Sequence, residues 1–351
     1  MRFVIVFIFS LLTLASLSQI GGTSAYQFLN LTNSARVASL GGKNISIDDD
    51  DLNMVYHNPS LLNEEMDKNL VTNYIRYLPH TGINYGYAAY AAKFKEIGML
   101  AGGIHYVNYG EFIRTDETGT ITGDFRAAEY VLNIMWAYPL DSHFTTGVNV
   151  KPVLSSLERY NSTGILLDGG IRYTSSSRLT TVALVVRNAG TQIQPYRKGN
   201  YEPMPLDIQL GVSHKFKYAP LRINITAHHL EVLDMTYDNP NDEDSEPDPL
   251  TGETSDENKL EVFTDKALRH LIFSLEFMPL ENFYIRAGYN YQRRQELKLD
   301  TRAYTVGFSW GFGLRISKFH LSYARATYHL AGASNHFSVC TDIGDFYKKA
   351  K

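Results

Sequence analysis

The sequence predicts an all-β protein, a transmembrane antiparallel β-barrel of the outer-membrane kind with about 14 strands and an N-terminal plug segment. Three observations support this prediction. Strand-like runs alternate between apolar and polar residues, short links alternate with long links between the runs, and the N-terminal segment is typical of exported proteins.

Composition agrees with a barrel and excludes some other classes. The 351 residues carry 33 basic and 37 acidic side chains, and this formal net charge of −4 gives no reason to expect a nucleic-acid partner. The 24 Tyr and 18 Phe suit strands and membrane interfaces. Cys340 is the only cysteine in the sequence, so an internal disulfide framework is excluded.

Residues 1–18 are predicted to be a signal peptide. Arg2 precedes an apolar stretch, and small residues at its end predict cleavage between Ser18 and Gln19. The stretch is shorter than the ~20 residues that a membrane-spanning helix needs. No cysteine follows it to carry a lipid, and no later run is apolar enough for a transmembrane helix. We therefore expect an exported chain that can enter a membrane only as a barrel.

Residues 19–68 do not alternate and are predicted to form a plug inside the barrel. The segment 34–42 predicts a short helix that glycine ends. Asn58 followed by Pro59 favours a helix start, because proline lacks a backbone donor that would have no partner there.

The acidic run Asp48–Asp51 lies within this plug segment. Four adjacent carboxylates repel one another, and water or nearby cations relieve that repulsion. We expect the run to lie in an exposed turn or against basic lumen residues such as Arg172 or Arg222.

Residues 69–343 are predicted to form the barrel, with residues 344–351 as a periplasmic tail. Many of the runs are about ten to twelve residues long, roughly twice the usual strand of a soluble protein. The strand-like runs are 69–77, 83–94, 97–109, 128–139, 143–154, 163–174, 179–187, 205–217, 221–230, 269–279, 283–293, 303–315, 318–329 and 335–343.

The links between these runs sort by parity. Links after even-numbered runs are short, and links after odd-numbered runs are longer, up to the segment 231–268. Transmembrane barrels have this arrangement, with tight periplasmic turns on one rim and long external loops on the other.

The apolar series is expected to contact lipid and the polar series to face the lumen. A barrel of about 14 strands is too wide for its own inward side chains to fill, so we expect the plug to occupy the space. The charged residues predicted to face the lumen are Asp168, Arg172, Asp207, Lys215, Arg222 and Arg286.

No catalytic residue, metal site or cofactor is predicted. Residues 307–311 fit the GxSxG pattern of hydrolases, but that motif needs a sharp turn from strand to helix and here lies within a strand. Its small residues are better interpreted as a stripe that leaves room for the plug. His228 and His229 are neighbours on a predicted strand, so their side chains are expected to point to opposite faces.

The acidic stretch 238–257 allows three interpretations. Its proline and charge content favours a flexible exposed loop. A docking surface for a protein partner and a Ca²⁺ site are the alternatives, although the glycine placement of an EF-hand loop is absent.

The N-terminal region carries a resemblance to a known family. Residues 34–42 (SARVASLGG), the SIDDDD stretch, VYHNPSLL and a YAAY-containing strand resemble the FadL-like outer-membrane barrels. Within that family the resemblance extends to the PorQ and PorV group of the Bacteroidetes type IX secretion system, over residues 21–95. An Asn-Pro-Ala motif marks the plug in that family. Asn58 and Pro59 match it, and Ser60 replaces the alanine.

The resemblance implies a non-enzymatic outer-membrane component. PorQ-like proteins anchor the surface protein PorZ near PorU and PorV, which attach secreted cargo to anionic lipopolysaccharide. Two alternatives remain open. A FadL-like transporter of small hydrophobic molecules predicts an apolar pocket beside the plug and a lateral opening in the wall. A general diffusion porin requires an open channel through the plug. A charged lumen would favour the anchor over the transporter.

Overall fold

The computed structural model describes residues 24–78, 81–236, 259–297, 305–329 and 332–347. Within these residues, 14 antiparallel strands form a closed barrel, in which consecutive strands pair and β1 pairs with β14. The predicted fold class is confirmed. The predicted signal peptide, the cleavage position between Ser18 and Gln19, and the acidic stretch 238–257 lie outside the described residues.

The strand bounds follow the predicted runs closely at the short links after even-numbered strands and less closely at the other rim. The strands are β1 Asn69–Arg76, β2 Asn84–Phe94, β3 Gly98–Thr115, β4 Ile121–Pro139, β5 Phe144–Leu157, β6 Tyr160–Thr174, β7 Thr180–Gln194, β8 Asp207–Lys215, β9 Leu221–Ala227, β10 Leu271–Leu280, β11 Phe283–Asn290, β12 Phe308–Ile316, β13 Phe319–His329 and β14 Gly332–Asp342.

Helical structure is short. Among the described residues, no helix has the length and apolar content that a membrane-spanning helix needs. The α-helices are Ala35–Ser39, Lys259–Arg269, Tyr291–Glu296 and Gly344–Tyr347. The 3₁₀ helices are Gln27–Asn30, Leu52–Tyr56, Pro59–Leu61 and Glu64–Met66.

The strands turn their apolar side chains outward. In β9, Ile223 and Ile225 are 40% and 43% exposed, whereas Arg222, Asn224 and Thr226 between them are buried. Alternate residues of a strand point to opposite faces, so the outer surface is apolar and the lumen wall is polar. A soluble sheet protein has the reverse pattern, with apolar side chains inside and polar side chains outside.

The predicted parity of the links holds only in part. The link between β5 and β6 consists of Glu158 and Arg159 alone, although the prediction placed a longer loop there. The two strands continue to pair as far as Leu157 and Tyr160, so backbone hydrogen bonds replace the loop. β3 and β4 likewise continue to pair as far as Thr115 and Ile121, beyond the last pairs that β3 forms with β2 and that β4 forms with β5.

Residues 24–68 lie inside the barrel, as a plug. The segment begins near the loop between β7 and β8, where the Ala25 amide donates to the Pro203 carbonyl at 3.0 Å. It ends at the opposite rim, where the Lys68 amide donates to the Ala91 carbonyl at 2.9 Å. The buried apolar core therefore lies between plug and wall, in clusters to which both contribute.

The outward face of β9 provides a direct test of membrane insertion. We expect Ile225→Arg to lower the free energy of unfolding in lipid vesicles by about 2–4 kcal/mol, because a guanidinium near the middle of the bilayer loses its hydration. Denaturant titration of the folded barrel in vesicles measures the change.

The matched control is Tyr218→Arg, since Tyr218 is 92% exposed in the turn before β9. An equal effect of the two variants would show that the outward face of β9 does not contact hydrocarbon.

Candidate functional site: the plug and the lumen wall

Glycines of the wall allow the plug backbone to contact it. A Cβ at Gly147 would overlap the backbone of Pro59 and Ser60, and one at Gly288 would overlap Gly41. Glycine lacks that atom, so the two backbones can approach each other closely. The wall at these positions fits the plug and leaves no space for larger side chains.

The Asn-Pro pair of the plug is held by the side chain of Asn58. Its Oδ1 accepts from the Ser60 amide at 2.9 Å and from Ser60 Oγ at 2.7 Å. Its Nδ2 donates to the Ile45 carbonyl at 2.8 Å, which joins two turns of the plug. Asn58 caps the 3₁₀ helix Pro59–Leu61, with proline in the first turn. Ser60 supplies a hydroxyl donor that the alanine of the family motif does not have.

Wall or plug arginines pair with each carboxylate of the run Asp48–Asp51. Arg172 pairs with Asp48, and Arg315 pairs with Asp50 at 2.9 Å. Arg222 lies 3.0 Å from Asp49. These cations relieve the repulsion within the run, as expected when basic lumen residues face it.

Arg36 connects this acidic run to Glu276, which lies beside Arg222 on the wall. Its guanidinium donates to Asp49 at 2.7 Å, to Asp51 at 3.2 Å and to Glu276 of β10 at 3.0 Å. Arg36 lies in the short helix Ala35–Ser39, where Ser34 caps the first turn. A planar guanidinium with five donors suits a buried position with several carboxylates.

Glu276 is the centre of the ion pairs on the wall. It is fully buried and accepts from Arg222 at 2.7 Å and from Arg286 at 2.8 Å, as well as from Arg36. Loss of one partner would leave a buried charge without compensation, which is costly inside a protein.

The charge state of Asp49 follows from these partners. Burial by itself would raise the pKa of Asp49, but Arg36 and Arg222 outweigh burial and hold the pKa well below its usual range. The carboxylate is therefore ionised at neutral pH, and the ion pairs between plug and wall are complete.

A second group of ion pairs lies further along the lumen. Asp168 of β6 is fully buried and pairs with the equally buried Lys151 of β5 at 2.5 Å. The Asn188 amide donates to the other oxygen of Asp168 at 2.8 Å. Asp207 pairs in the same way with a plug residue, Lys43, at 2.7 Å.

The structure places five of the six predicted lumen residues in contact with these networks. Asp168, Arg172, Asp207, Arg222 and Arg286 all form ion pairs inside the barrel. Lys215 lies on the same face of β8 but is exposed at its end. Sequence reasoning did not single out the partners Arg36, Lys43, Lys151 and Glu276.

The expectation that His228 and His229 point apart is wrong. β9 ends at Ala227, and His229 has a positive φ of 52°, so the two rings lie 5.2 Å apart. The ligand atoms of Asp207, His229 and Glu231 lie within 4.8 Å of one another, as in a metal site. The Lys43 ammonium already lies there, 3.1 Å from His229 Nε2. We therefore interpret this group as a contact between plug and wall.

Ser309, the serine of the GxSxG pattern, also contacts the plug. Its Oγ accepts from the Gly41 amide at 3.0 Å and donates to the Ser39 carbonyl at 3.1 Å. It is the second residue of β12, so the pattern spans the start of this strand and does not lie in its middle as predicted. The chain continues from Ser309 along the strand to Ile316 and makes no turn into a helix there, which supports the interpretation of Ser309 as a small residue beside the plug.

Comparison with known proteins supports the architecture. No protein-family model and no curated protein sequence matches the chain. The structure is similar to that of the toluene transporter TbuX of Ralstonia pickettii, with 11% identity, a TM-score of 0.52, and coverage of 89% of this chain and 97% of that one.

Two further solved structures are more distant by TM-score. The toluene transporter TodX of Pseudomonas putida is 13% identical, with a TM-score of 0.49 and coverage of 88% of this chain and 96% of that one. A FadL homologue of Pseudomonas aeruginosa is 12% identical, with a TM-score of 0.47 and coverage of 89% and 98%. The likeness to TbuX shows the fold of this protein, a closed β-barrel of 14 antiparallel strands with an N-terminal plug segment.

The close contact between Gly147 and the plug predicts that a larger side chain at this position lowers the stability of the folded barrel. We expect Gly147→Ala to destabilise the folded barrel by about 1–3 kcal/mol, because its methyl group would force the Pro59–Ser60 backbone away from the wall. Unfolding midpoints in detergent, with limited proteolysis of the plug, measure the effect.

Gly169→Ala is the control. Gly169 is also a strand glycine, but a Cβ there would meet open space. If both variants unfold at the same midpoint, close packing of the plug against Gly147 is contradicted.

The buried ion pairs predict a second sensitivity. We expect Glu276→Gln to cost about 3–5 kcal/mol, because it leaves three guanidinium groups around one neutral amide. The change should also loosen the plug, which single-channel conductance in planar bilayers measures as opening events.

Asp50→Asn removes a half-exposed ion pair and is expected to cost less than about 1 kcal/mol. An unchanged conductance and stability in Glu276→Gln would show that the ion pairs do not hold the plug.

Proposed function

We propose that this protein is an integral outer-membrane barrel that acts as a non-enzymatic anchor for the surface attachment machinery of a type IX secretion system. The observation that carries the proposal is the set of buried ion pairs between plug and wall, centred on Arg36 and Glu276. Such a lumen suits a protein that works through its outer surface. The type IX assignment itself rests on the N-terminal resemblance.

The charged wall argues against a path for apolar molecules along it. Lys151, Asp168, Asp207 and Glu276 are all fully buried and polar. An apolar molecule moving past them would have to separate paired charges from their partners. Water could not replace the lost partners, because the plug fills the lumen.

The long strands offer the surface that an anchor needs. The hairpin of β3 and β4 extends beyond the last pairing of β2 with β3 at Asn84 and Asn108. Its tip exposes Ile113 and Ile121, which are 64% and 66% exposed. We propose that this side of the barrel faces a PorZ-like surface protein, with PorU and PorV nearby and lipopolysaccharide in the surrounding leaflet.

The second candidate is a FadL-like transporter of small hydrophobic molecules. The structural likeness to the toluene transporter TbuX favours it, and the comparisons support this candidate better than they support a type IX role. For transport, the plug would have to move, because its residues fill the lumen in this structure.

One pair of measurements separates the two candidates. We expect the tagged barrel, extracted from its native membranes, to co-purify with a surface attachment protein. A variant without residues 111–126, joined by an Asn-Gly turn, is expected to lose that partner. The barrel of this variant should stay closed, because the removed residues form no strand pairs with β2 or β5. We also expect proteoliposomes with the intact barrel to take up toluene no faster than empty vesicles.

Tyr218→Ser, at the opposite rim, is the control and is expected to retain the partner. Toluene uptake well above that of empty vesicles, with no secretion component in the purified material, would contradict the proposed anchor function and favour the transporter function.

A further inference from the structure

The outer surface of the barrel carries a row of polar residues at one rim. The row follows the hydrogen-bonding register across five neighbouring strands. Asn108 of β3 pairs with Asn84 of β2, Asn84 with Arg76 of β1, Arg76 with Asn335 of β14, and Asn335 with Arg325 of β13. All five side chains alternate with buried lumen residues and therefore point outward.

This rim is the one with the external links. β1 ends at Arg76, directly before the connection to β2, and the connection from β13 to β14 lies on the same side. Aromatic side chains lie next to the row on the membrane side. Tyr74 and Tyr323 donate their hydroxyl groups to Asn84 at 3.0 Å and to Asn335 at 2.7 Å. Tyrosines in this orientation are typical of the boundary between hydrocarbon and headgroups.

Two residues of the row, Arg76 and Arg325, are arginines. Arg76 and Arg325 are exposed, and within the residues that the structure describes neither forms an ion pair or a side-chain hydrogen bond. They lie two strands apart, with Asn335 between them, which places their Cα atoms about 10 Å apart. Trp310 of β12 follows next to Arg325.

A groove begins at this row. It has a volume of about 470 Å³ and is open to the outside. Its polar upper part and apolar lower part match a molecule with a charged head and a hydrocarbon tail. The groove is lined by Tyr74, Arg76, Gly82, Asn84, Asn335 and Phe337.

We propose that Arg76 and Arg325, with Asn335 between them, bind the phosphorylated headgroup of a lipid of the outer leaflet, whose acyl chain lies along Tyr74 and Phe337. A cation on the outer face of a barrel needs a counter-charge at headgroup level, and guanidinium groups bind phosphate through paired hydrogen bonds. The inference rests on the proposed membrane insertion and is independent of the anchor or transporter function.

The test is native mass spectrometry of the intact barrel with added lipid A, compared with its dephosphorylated form. We expect the wild type to retain lipid A, and the double variant Arg76→Gln with Arg325→Gln to bind it at least about tenfold more weakly. Dephosphorylated lipid is expected to bind equally weakly to both proteins.

Arg126→Gln is the matched control, since Arg126 is an exposed arginine of β4, which lies three strands from Arg76, and it already pairs with Glu111 at 3.4 Å. It should bind lipid A as the wild type does. Millimolar inorganic phosphate is expected not to displace the lipid, which separates a lipid site from a site for free phosphate.

Three results would overturn the site. They are unchanged retention by the double variant, equal retention of dephosphorylated lipid by the wild type, or a loss in Arg126→Gln as large as that in the double variant. Heat-modifiable migration on gels confirms that each variant is folded. A barrel that fails to enter vesicles at all would instead contradict membrane insertion, so the two failures are distinguishable.

Discussion

The structure depends on one constraint: the barrel is too wide for the side chains of its own wall to fill the lumen. A closed sheet of 14 strands turns its polar face inward and surrounds a space that its own side chains cannot occupy. Every buried charge on that face needs a partner. The plug provides some of those partners, since Arg36 pairs with Glu276 and Lys43 pairs with Asp207. Others come from the wall itself, as in the pair of Lys151 with Asp168. Plug and wall are therefore one folding unit with a shared interior.

The same constraint explains the composition of the wall. Glycine and serine occur where the plug backbone is closest, at Gly147, Gly288 and Ser309. Glu276 and Asp207 lie where the plug presents Arg36 and Lys43. The outward face has no such requirement and carries Ile, Leu, Phe and Trp. A lumen filled in this way leaves the rims and the outer surface as the places where side chains are free to contact other molecules.

Much of the architecture could be predicted from the sequence because it depends on local periodicity. The alternation in β9 identifies Ile223 and Ile225 as outward and Arg222 as inward with no knowledge of the fold. The partners of Asp48–Asp51 could also be expected, because a run of carboxylates in a lumen requires cations. Asn58 and Pro59 marked the start of a helix through capping chemistry alone.

The rest depends on register and on single backbone angles, which the sequence pattern does not encode. The contact of Arg36 with Glu276 requires the exact height of β10 against the plug. The meeting of His228 with His229 depends on one positive φ just after the end of a strand. Glu158 also has a positive φ, in a two-residue turn with no glycine or asparagine to indicate it, so the turn between β5 and β6 was predicted as a longer loop.

The order of these contacts along the chain has a consequence for biogenesis. Arg36 and Glu276 are separated by 240 positions, so the plug emerges first and its main counter-charge arrives only with the tenth strand. Closing so large a loop is entropically slow. Until then Glu276 has no partner from the plug, whereas Arg36 can already pair with Asp49 inside it. The contact between the plug and β10 is therefore expected to form late, after the local contacts within the plug.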